Sequence, residues 1–142
     1  MSRSSCISPN KSSVGIALRY GWTVLERLPG TLLRLEGLAV LVAALVLYFH
    51  ADFGWLLLLV LCLAPDLSML GYLLGPRAGA LAYDAVHTEV LPIALGTAAV
   101  VADADTAMQL ALIWLVHIGA DRLLGYGLKY PTAFKDTHLQ RV

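Results

Sequence analysis

Seven acidic or histidine side chains lie inside long apolar stretches of this 142-residue chain. They are Glu36, Asp66, Asp84, His87, Glu89, His117 and Asp121. Ionisable groups are costly in hydrocarbon, so they normally face a protein interior or a wet cavity, where they serve a function. Two imidazoles with several carboxylates form a ligand set that suits zinc, manganese or iron.

The spacing of these residues places several of them on shared helix faces. His117 and Asp121 are separated by four positions, and Asp84 and His87 by three, so each pair lies on one face of a helix. We predict that His87, His117 and Asp121 supply three ligands to a divalent ion such as zinc. Asp66 would be a fourth ligand or a partner of a ligand, and Asp84 could instead orient His87.

Two further residues receive roles near this site. Glu36 is the predicted catalytic residue, because a carboxylate desolvated near a membrane can act as a general base. Arg122 could pair with Glu36, bind a lipid phosphate, or simply anchor the topology. The alternative for the site as a whole is structural, in which His117 and Asp121 form an intrahelical ion pair that stabilises the bundle.

Four apolar segments of about 20 residues are each long enough to cross a hydrocarbon core of ~30 Å. These segments are Thr31–His50, Gly54–Leu74, Gly79–Val101 and Thr106–Gly125. The mean hydropathy of +0.73, with 58% apolar and 14% charged residues, excludes an ordinary soluble domain. All ten Lys and Arg residues fall on one side of the spans, which predicts a multi-pass integral membrane protein with both termini in the cytoplasm.

The predicted fold is an all-α membrane protein with four transmembrane helices in two antiparallel hairpins. Residues 1–30 form a cytoplasmic N-terminal tail with a short interfacial amphipathic helix over 13–28, ended by Pro29 and Gly30. Residues 31–125 form the bundle, and 126–142 form a cytoplasmic C-terminal tail. The stretch from Lys135 to His138 could fold back over the polar residues, where His138 would add a third imidazole.

Depth brings the polar residues into one layer. At 1.5 Å per residue, Glu36, Asp66, His87, His117 and Asp121 all lie within ~6–14 Å of the cytoplasmic boundary. We therefore expect them to line one cavity near that face. Membrane lipid is the expected partner, whereas nucleic acid is not, because the basic residues are scattered singly. A homo-oligomer remains open.

Three stretches carry a family resemblance. They are LEG at 35–37, PDLSMLGYLLGPRAGALAYDAVHT at 65–88, and WLVHIGADRLLGYGLKYPTAFKDTHL at 114–139. From about Leu32 to the C-terminus, the chain resembles a family of small bacterial membrane proteins known only as a domain of unknown function, family 4260. That resemblance implies the membrane fold but no activity.

The order of motifs is also similar to that of inner-membrane proteins classed as metal-dependent hydrolases. Their pattern has Pro-Asp near a helix end, then His-x-x-x-Thr-His, then His-x-x-x-Asp. Here it corresponds to Asp66 after its proline, His87 followed by threonine, and His117 with Asp121. Ser68 stands where an acid is usual, and the middle motif keeps one histidine, which leaves room for a non-catalytic descendant.

Three functions follow from these patterns. The first is a metal-dependent hydrolase acting on a lipid-soluble or membrane-adjacent substrate. The second is a proton-relay or small-solute transport protein that uses the same groups. The third is a scaffold whose polar cluster only fixes helix packing. Transport would require polar residues in the outer half of the membrane, where the sequence offers only Thr97 and Gln109.

Overall fold

The computed structural model describes residues 11–132 and 137–140, and the main elements in these ranges are helices. Four helical spans are long and apolar enough to cross a membrane, at Leu28–His50, Trp55–Leu74, Pro76–Ala102 and Asp105–Leu124. These bounds agree with the predicted segments to within three residues. Sharp turns join the spans, and Gly75, the single residue between the second and third spans, needs the left-handed backbone that glycine permits (φ 111°).

The first span belongs to a longer helix, α1 (Lys11–His50), which contains Pro29. The expected helix end at Pro29 and Gly30 is therefore wrong. Proline removes one backbone hydrogen bond, and long membrane helices tolerate this loss where their surroundings compensate for it. The interfacial position of the segment over residues 13–28 stays a prediction.

The second span changes its helix type next to a proline. It begins as α2 (Trp55–Leu61) and continues as a 3₁₀ helix (Ala64–Leu74) that contains Pro65 in its first turn. Pro65 has no N–H to continue the α-helical hydrogen bonds, and the Asp66 N–H instead bonds to the Leu63 carbonyl at 3.2 Å. Asp66 therefore lies where the helical hydrogen bonding of the second span changes.

The third span is interrupted, although the sequence predicted one continuous segment. Its two halves are α3 (Pro76–His87) and α4 (Val90–Ala102). Between them Thr88 is extended, with φ −83° and ψ 139°. Pro92 lacks the N–H that would have bonded to the Thr88 carbonyl in a continuous helix. A new helix can therefore begin near this position without losing a further backbone hydrogen bond.

The fourth span, α5 (Asp105–Leu124), is the most enclosed of the four and packs against both α1 and α4. Two glycines allow α1 and α5 to approach closely. A Cβ added at Gly119 would lie 2.7 Å from the Leu41 backbone nitrogen, and one at Gly37 would overlap the Arg122 Cβ. Small residues at such crossings are typical of membrane helix pairs.

The packing differs from two separate hairpins. The 3₁₀ helix packs against α3, while α1 pairs with α5 rather than with the span that follows it. The main cluster of buried apolar side chains joins α1 and α5 and comprises Ala44, Tyr48, Leu112, Ile113 and Val116. Tyr48 is fully buried and donates its hydroxyl proton to the Gly54 carbonyl at 2.8 Å.

Candidate metal centre

Four side chains from three spans meet in one group. The 3₁₀ helix contributes Asp66, the last turn of α3 contributes His87, and α5 contributes His117 and Asp121. One ligand atom from each lies within 4.8 Å of the other three. The histidines are buried, with 2% and 4% of their surface exposed, whereas the two carboxylates are partly exposed.

The separations suit a small divalent cation. The two histidine Nε2 atoms are 3.0 Å apart. The Asp66 Oδ1 atom is 3.6 Å from both nitrogens, and the Asp121 Oδ2 atom is 3.7 Å from that of His87 and 3.8 Å from that of His117. Metal bonds of 2.0–2.2 Å in a tetrahedron separate the ligand atoms by about 3.3–3.6 Å. These five separations differ from the tetrahedral values by only a few tenths of an ångström, and the two carboxylate oxygens lie within 4.8 Å of each other.

Hydrogen bonding directs the correct nitrogen of His87 toward the group. Its Nδ1 atom lies 2.9 Å from the Tyr83 carbonyl oxygen, which can only accept, so Nδ1 carries the proton. In the neutral ring Nε2 then presents a lone pair to His117. Histidines that bind metals usually have their second nitrogen fixed in this way.

Tyr83 positions two members of the group, and the sequence analysis did not identify it. Its ring stacks on that of His87, with centroids 3.6 Å apart and planes 11° apart. Its hydroxyl donates to Asp121 Oδ2 at 3.0 Å, the same oxygen that faces the histidines. The spacing of four residues between Tyr83 and His87 was the available signal, because it places both rings on one helix face.

The interruption of the third span leaves carbonyl groups that α5 satisfies. Trp114 donates its indole N–H to the Val86 carbonyl at 2.7 Å, and Arg122 donates to the His87 carbonyl at 3.2 Å. Side chains of a neighbouring helix thus replace the missing backbone donors, as a broken membrane helix requires. The ion pairs of the described residues do not include one between Arg122 and Glu36, which was one of the three alternatives for Arg122.

Asp84 does not orient His87, which corrects that alternative. Its Oδ1 atom accepts the backbone N–H of Lys129 at 2.7 Å and so holds the C-terminal segment against the bundle. The Lys129 ammonium lies 4.1 Å from the Tyr83 ring centroid. Burial lowers the pKa of Lys129, and the carboxylates of Asp121, Asp66 and Asp84 oppose that shift.

The described part of the C-terminal segment, 126–132 and 137–140, docks on the end of the bundle that carries Arg77 and Arg122, which is called the basic end. Lys129 pairs with Thr137 in an isolated antiparallel bridge, and the His138 N–H donates to the Leu128 carbonyl at 3.0 Å. The His138 ring packs against Gly127 and is not one of the four converging residues. The predicted contribution of Lys135 lies outside the described residues.

Glu36 is exposed on α1 and is also not a member of the group. It directly precedes Gly37, which faces α5, so the Glu36 side chain leaves the helix next to the contact face and not within it. Its role as a general base stays a prediction.

Comparison with known proteins gives a family but no relative of known activity. No curated protein and no solved structure has a significant match to the chain. The family described as a domain of unknown function, DUF4260, matches residues 30–142. That range includes the four spans except the first two residues of the first, together with the four converging residues and the C-terminal segment. With four fifths of its length inside the match, the chain belongs to the DUF4260 family.

Proposed function

We propose that this protein is a membrane-embedded, metal-dependent hydrolase whose divalent ion, such as zinc, is held by His87, His117 and Asp121, with Asp66 beside the water that the ion would activate. The observation that carries the proposal is the convergence of their four ligand atoms from three spans. Such convergence inside apolar helices is costly, and a bound cation offsets that cost.

The chemistry of the four groups supports a cation at their centre. With both rings neutral, the proton of His87 is on Nδ1, so at most one N–H, that of His117, points into the group. Two carboxylates and one imidazole lone pair then converge with at most two donated protons, that N–H and the Tyr83 hydroxyl proton that bonds Asp121. A divalent ion would balance this excess of acceptors.

Three of the four residues would hold the ion, and the fourth would take part in the reaction. The buried histidines and Asp121, which Tyr83 orients, would hold the ion. A bound ion would supply Lewis acidity and activate water for attack. Asp66 is the most exposed of the four, with 36% of its side chain accessible, and is therefore the best placed to accept a proton from that water.

A proton relay is the second candidate, because the Nε2 atoms of His87 and His117 are within hydrogen-bonding distance. The polar side chains of Thr97 and Gln109, in the half of the membrane away from the two histidines, do not extend this hydrogen-bonded path. Thr97 donates to the Ile93 carbonyl at 2.8 Å, and Gln109 donates to the Tyr48 hydroxyl at 3.0 Å. Each is bonded locally, which favours a site that opens at one end of the bundle.

Metal analysis of detergent-purified protein tests the proposal. Wild-type protein should carry roughly one divalent ion per chain. The same is expected of His50→Ala, because His50 lies at the end of the first span that is far from the four converging residues. His117→Ala and Asp121→Ala should lose the ion yet still elute as folded protein. Metal-loaded wild type should hydrolyse a long-chain p-nitrophenyl ester or bis-p-nitrophenyl phosphate faster than His117→Ala does.

Two results would contradict the proposal. The metal site does not exist if wild-type protein binds no zinc, manganese or iron after incubation, and His117→Ala lowers only the melting temperature. If the ion is present but both probes are cleaved no faster than by His117→Ala, the site is structural and not hydrolytic.

A further inference from the structure

An apolar groove of about 350 Å³ opens on the side of the bundle next to the four converging residues. Its walls come from three spans and include Leu61, Ala64, Pro65, Val86, Leu95 and Trp114. The indole N–H of Trp114 is bonded to a backbone carbonyl, so this residue presents only its apolar ring to the groove. The volume falls within the range of ligand sites.

The groove shares its wall with the candidate metal centre. Pro65 directly precedes Asp66, and Val86 directly precedes His87. Trp114 is one helical turn before His117 on α5. A molecule in the groove would therefore touch the same backbone segments that carry the ligand atoms.

The groove also has a direction within the membrane. The second and fourth spans both run toward the end of the bundle that carries Arg77, Arg122 and the C-terminal segment. Leu61 and the residues around Trp114 precede Asp66 and His117 on these spans, so the groove lies on the mid-membrane side of the polar group. A ligand that follows it has an apolar part toward the membrane centre and a polar part at the ligand atoms.

Lipids of the leaflet at the basic end have this polarity. Their acyl chains point to the membrane centre, and the first polar group above the chain is the carboxylic ester. A helix from a second copy of this protein could also fill the groove, but it would bring no reactive bond to the four converging residues.

We propose that the groove holds one acyl chain of a membrane lipid from this leaflet and presents the ester of that chain to the metal centre. The inference rests on the proposed hydrolase function and names its substrate class as an acyl ester lipid. One water is consumed, since its oxygen bonds to the acyl carbon as the ester C–O bond breaks. The released alcohol takes one proton, and the fatty acid carries the other or releases it to the medium.

Occupation of the groove can be measured without activity. A variant with Trp22→Phe and Trp55→Phe keeps Trp114 as the only tryptophan, and it would be placed in nanodiscs of phosphatidylcholine with brominated acyl chains. The bromines should quench Trp114 fluorescence. Ala64→Phe, which fills the groove, should remove most of that quenching, whereas Leu63→Phe, on the neighbouring exposed position, should leave it unchanged.

A second pair guards against a folding defect in Ala64→Phe. Leu95→Phe fills the same groove from α4, and Ala94→Phe places the same ring on an exposed neighbouring position. Equal quenching in filled and control variants would overturn the proposal, because Trp114 would then meet only bulk lipid. A shift from dimer to monomer caused only by the filling variants would also overturn it, because the groove would be an interface between copies.

The bond is tested with matched lipids. Phosphatidylcholine with ester-linked chains should be hydrolysed and its ether-linked analogue should not, and Ala64→Phe should slow hydrolysis while Leu63→Phe does not. Release of a headgroup from the ether lipid would overturn the ester assignment. Absence of bound metal with intact quenching would refute the proposed function and leave the groove assignment standing. Bound metal without groove-dependent quenching would refute this inference alone.

Discussion

Tyr83 shows how one side chain can support two others. Its ring covers one face of His87, and its hydroxyl bonds the Asp121 oxygen nearest the histidines. The Tyr83 backbone carbonyl also fixes the tautomer of His87. The geometry of the group therefore depends on Tyr83, although it contributes none of the four ligand atoms.

Replacing Tyr83 with phenylalanine separates these contributions. Tyr83→Phe keeps the ring stacked on His87 and the backbone carbonyl, but removes the hydrogen bond to Asp121. Loss of such a supporting bond typically weakens metal binding about 10–100-fold. Competition with a zinc-sensitive dye should show this decrease.

Tyr126→Phe is the matched control, because Tyr126 is exposed beyond the end of α5. Its zinc affinity should equal that of the wild type. If Tyr83→Phe and Tyr126→Phe bind zinc equally well, the hydroxyl of Tyr83 does not support a metal site.

Much of the group could be predicted from the sequence because burial of charge is so expensive. That cost identified Asp66, His87, His117 and Asp121, and the helix rise placed them at one depth. The roles of Asp84 and Tyr83 were not accessible in this way. Both lie about one helical turn before His87. Asp84 bonds the backbone of the docked C-terminal segment instead of His87, and the sequence does not reveal where that segment docks.

At the scale of secondary-structure elements, interrupted helices position two of the four converging residues. Asp66 follows the change to a 3₁₀ helix, and His87 ends α3. The first interruption was predictable, because α2 ends at Leu61, four residues before Pro65. The second follows the same rule, since Thr88 lies four residues before Pro92, but that proline was not used in the prediction. Pairing of α1 with α5 was hidden in the sequence, since it joins segments far apart in the chain.

The crossing of α1 and α5 gives a prediction about stability. A methyl group at Gly119 would lie 2.7 Å from the Leu41 nitrogen, whereas one at Gly96 would lie 3.5 Å from the Ala111 Cβ. Gly119→Ala should destabilise the bundle by about 1–3 kcal/mol through overpacking against backbone. Gly96→Ala should be close to neutral, because 3.5 Å is an ordinary contact.

Thermal unfolding in one detergent would compare the two variants directly. Gly119→Ala should melt at a lower temperature than both Gly96→Ala and the wild type. Identical melting of the two alanine variants would show that the helices do not cross at Gly119.

At the scale of the whole molecule, the basic residues of the described part of the chain are concentrated at one end of the bundle. The Lys129 ammonium lies over the rings of Tyr72 and Tyr83, and Arg77 lies in the first turn of α3 at the same end. The described part of the C-terminal segment thus joins the other basic residues at the end where the four polar side chains meet.

We predict that this basic end faces the cytoplasm, because positive charge is retained on that side of bacterial membranes. A cytoplasmic reporter fused after Val142 should be active, and a periplasmic reporter inserted at Asp103 should be active. The reverse pattern, with periplasmic activity at Val142 and none at Asp103, would invert the topology and place the polar group at the other surface.

The bonds from α5 to the interrupted third span affect how the protein is made. A ribosome releases the third span before the fourth, so the Val86 and His87 carbonyls emerge without the Trp114 and Arg122 side chains that later bind them. Unpaired backbone groups are costly in lipid. We therefore expect the third span to stay in the insertion machinery or near water until the fourth arrives, so that the two enter the bilayer as one unit.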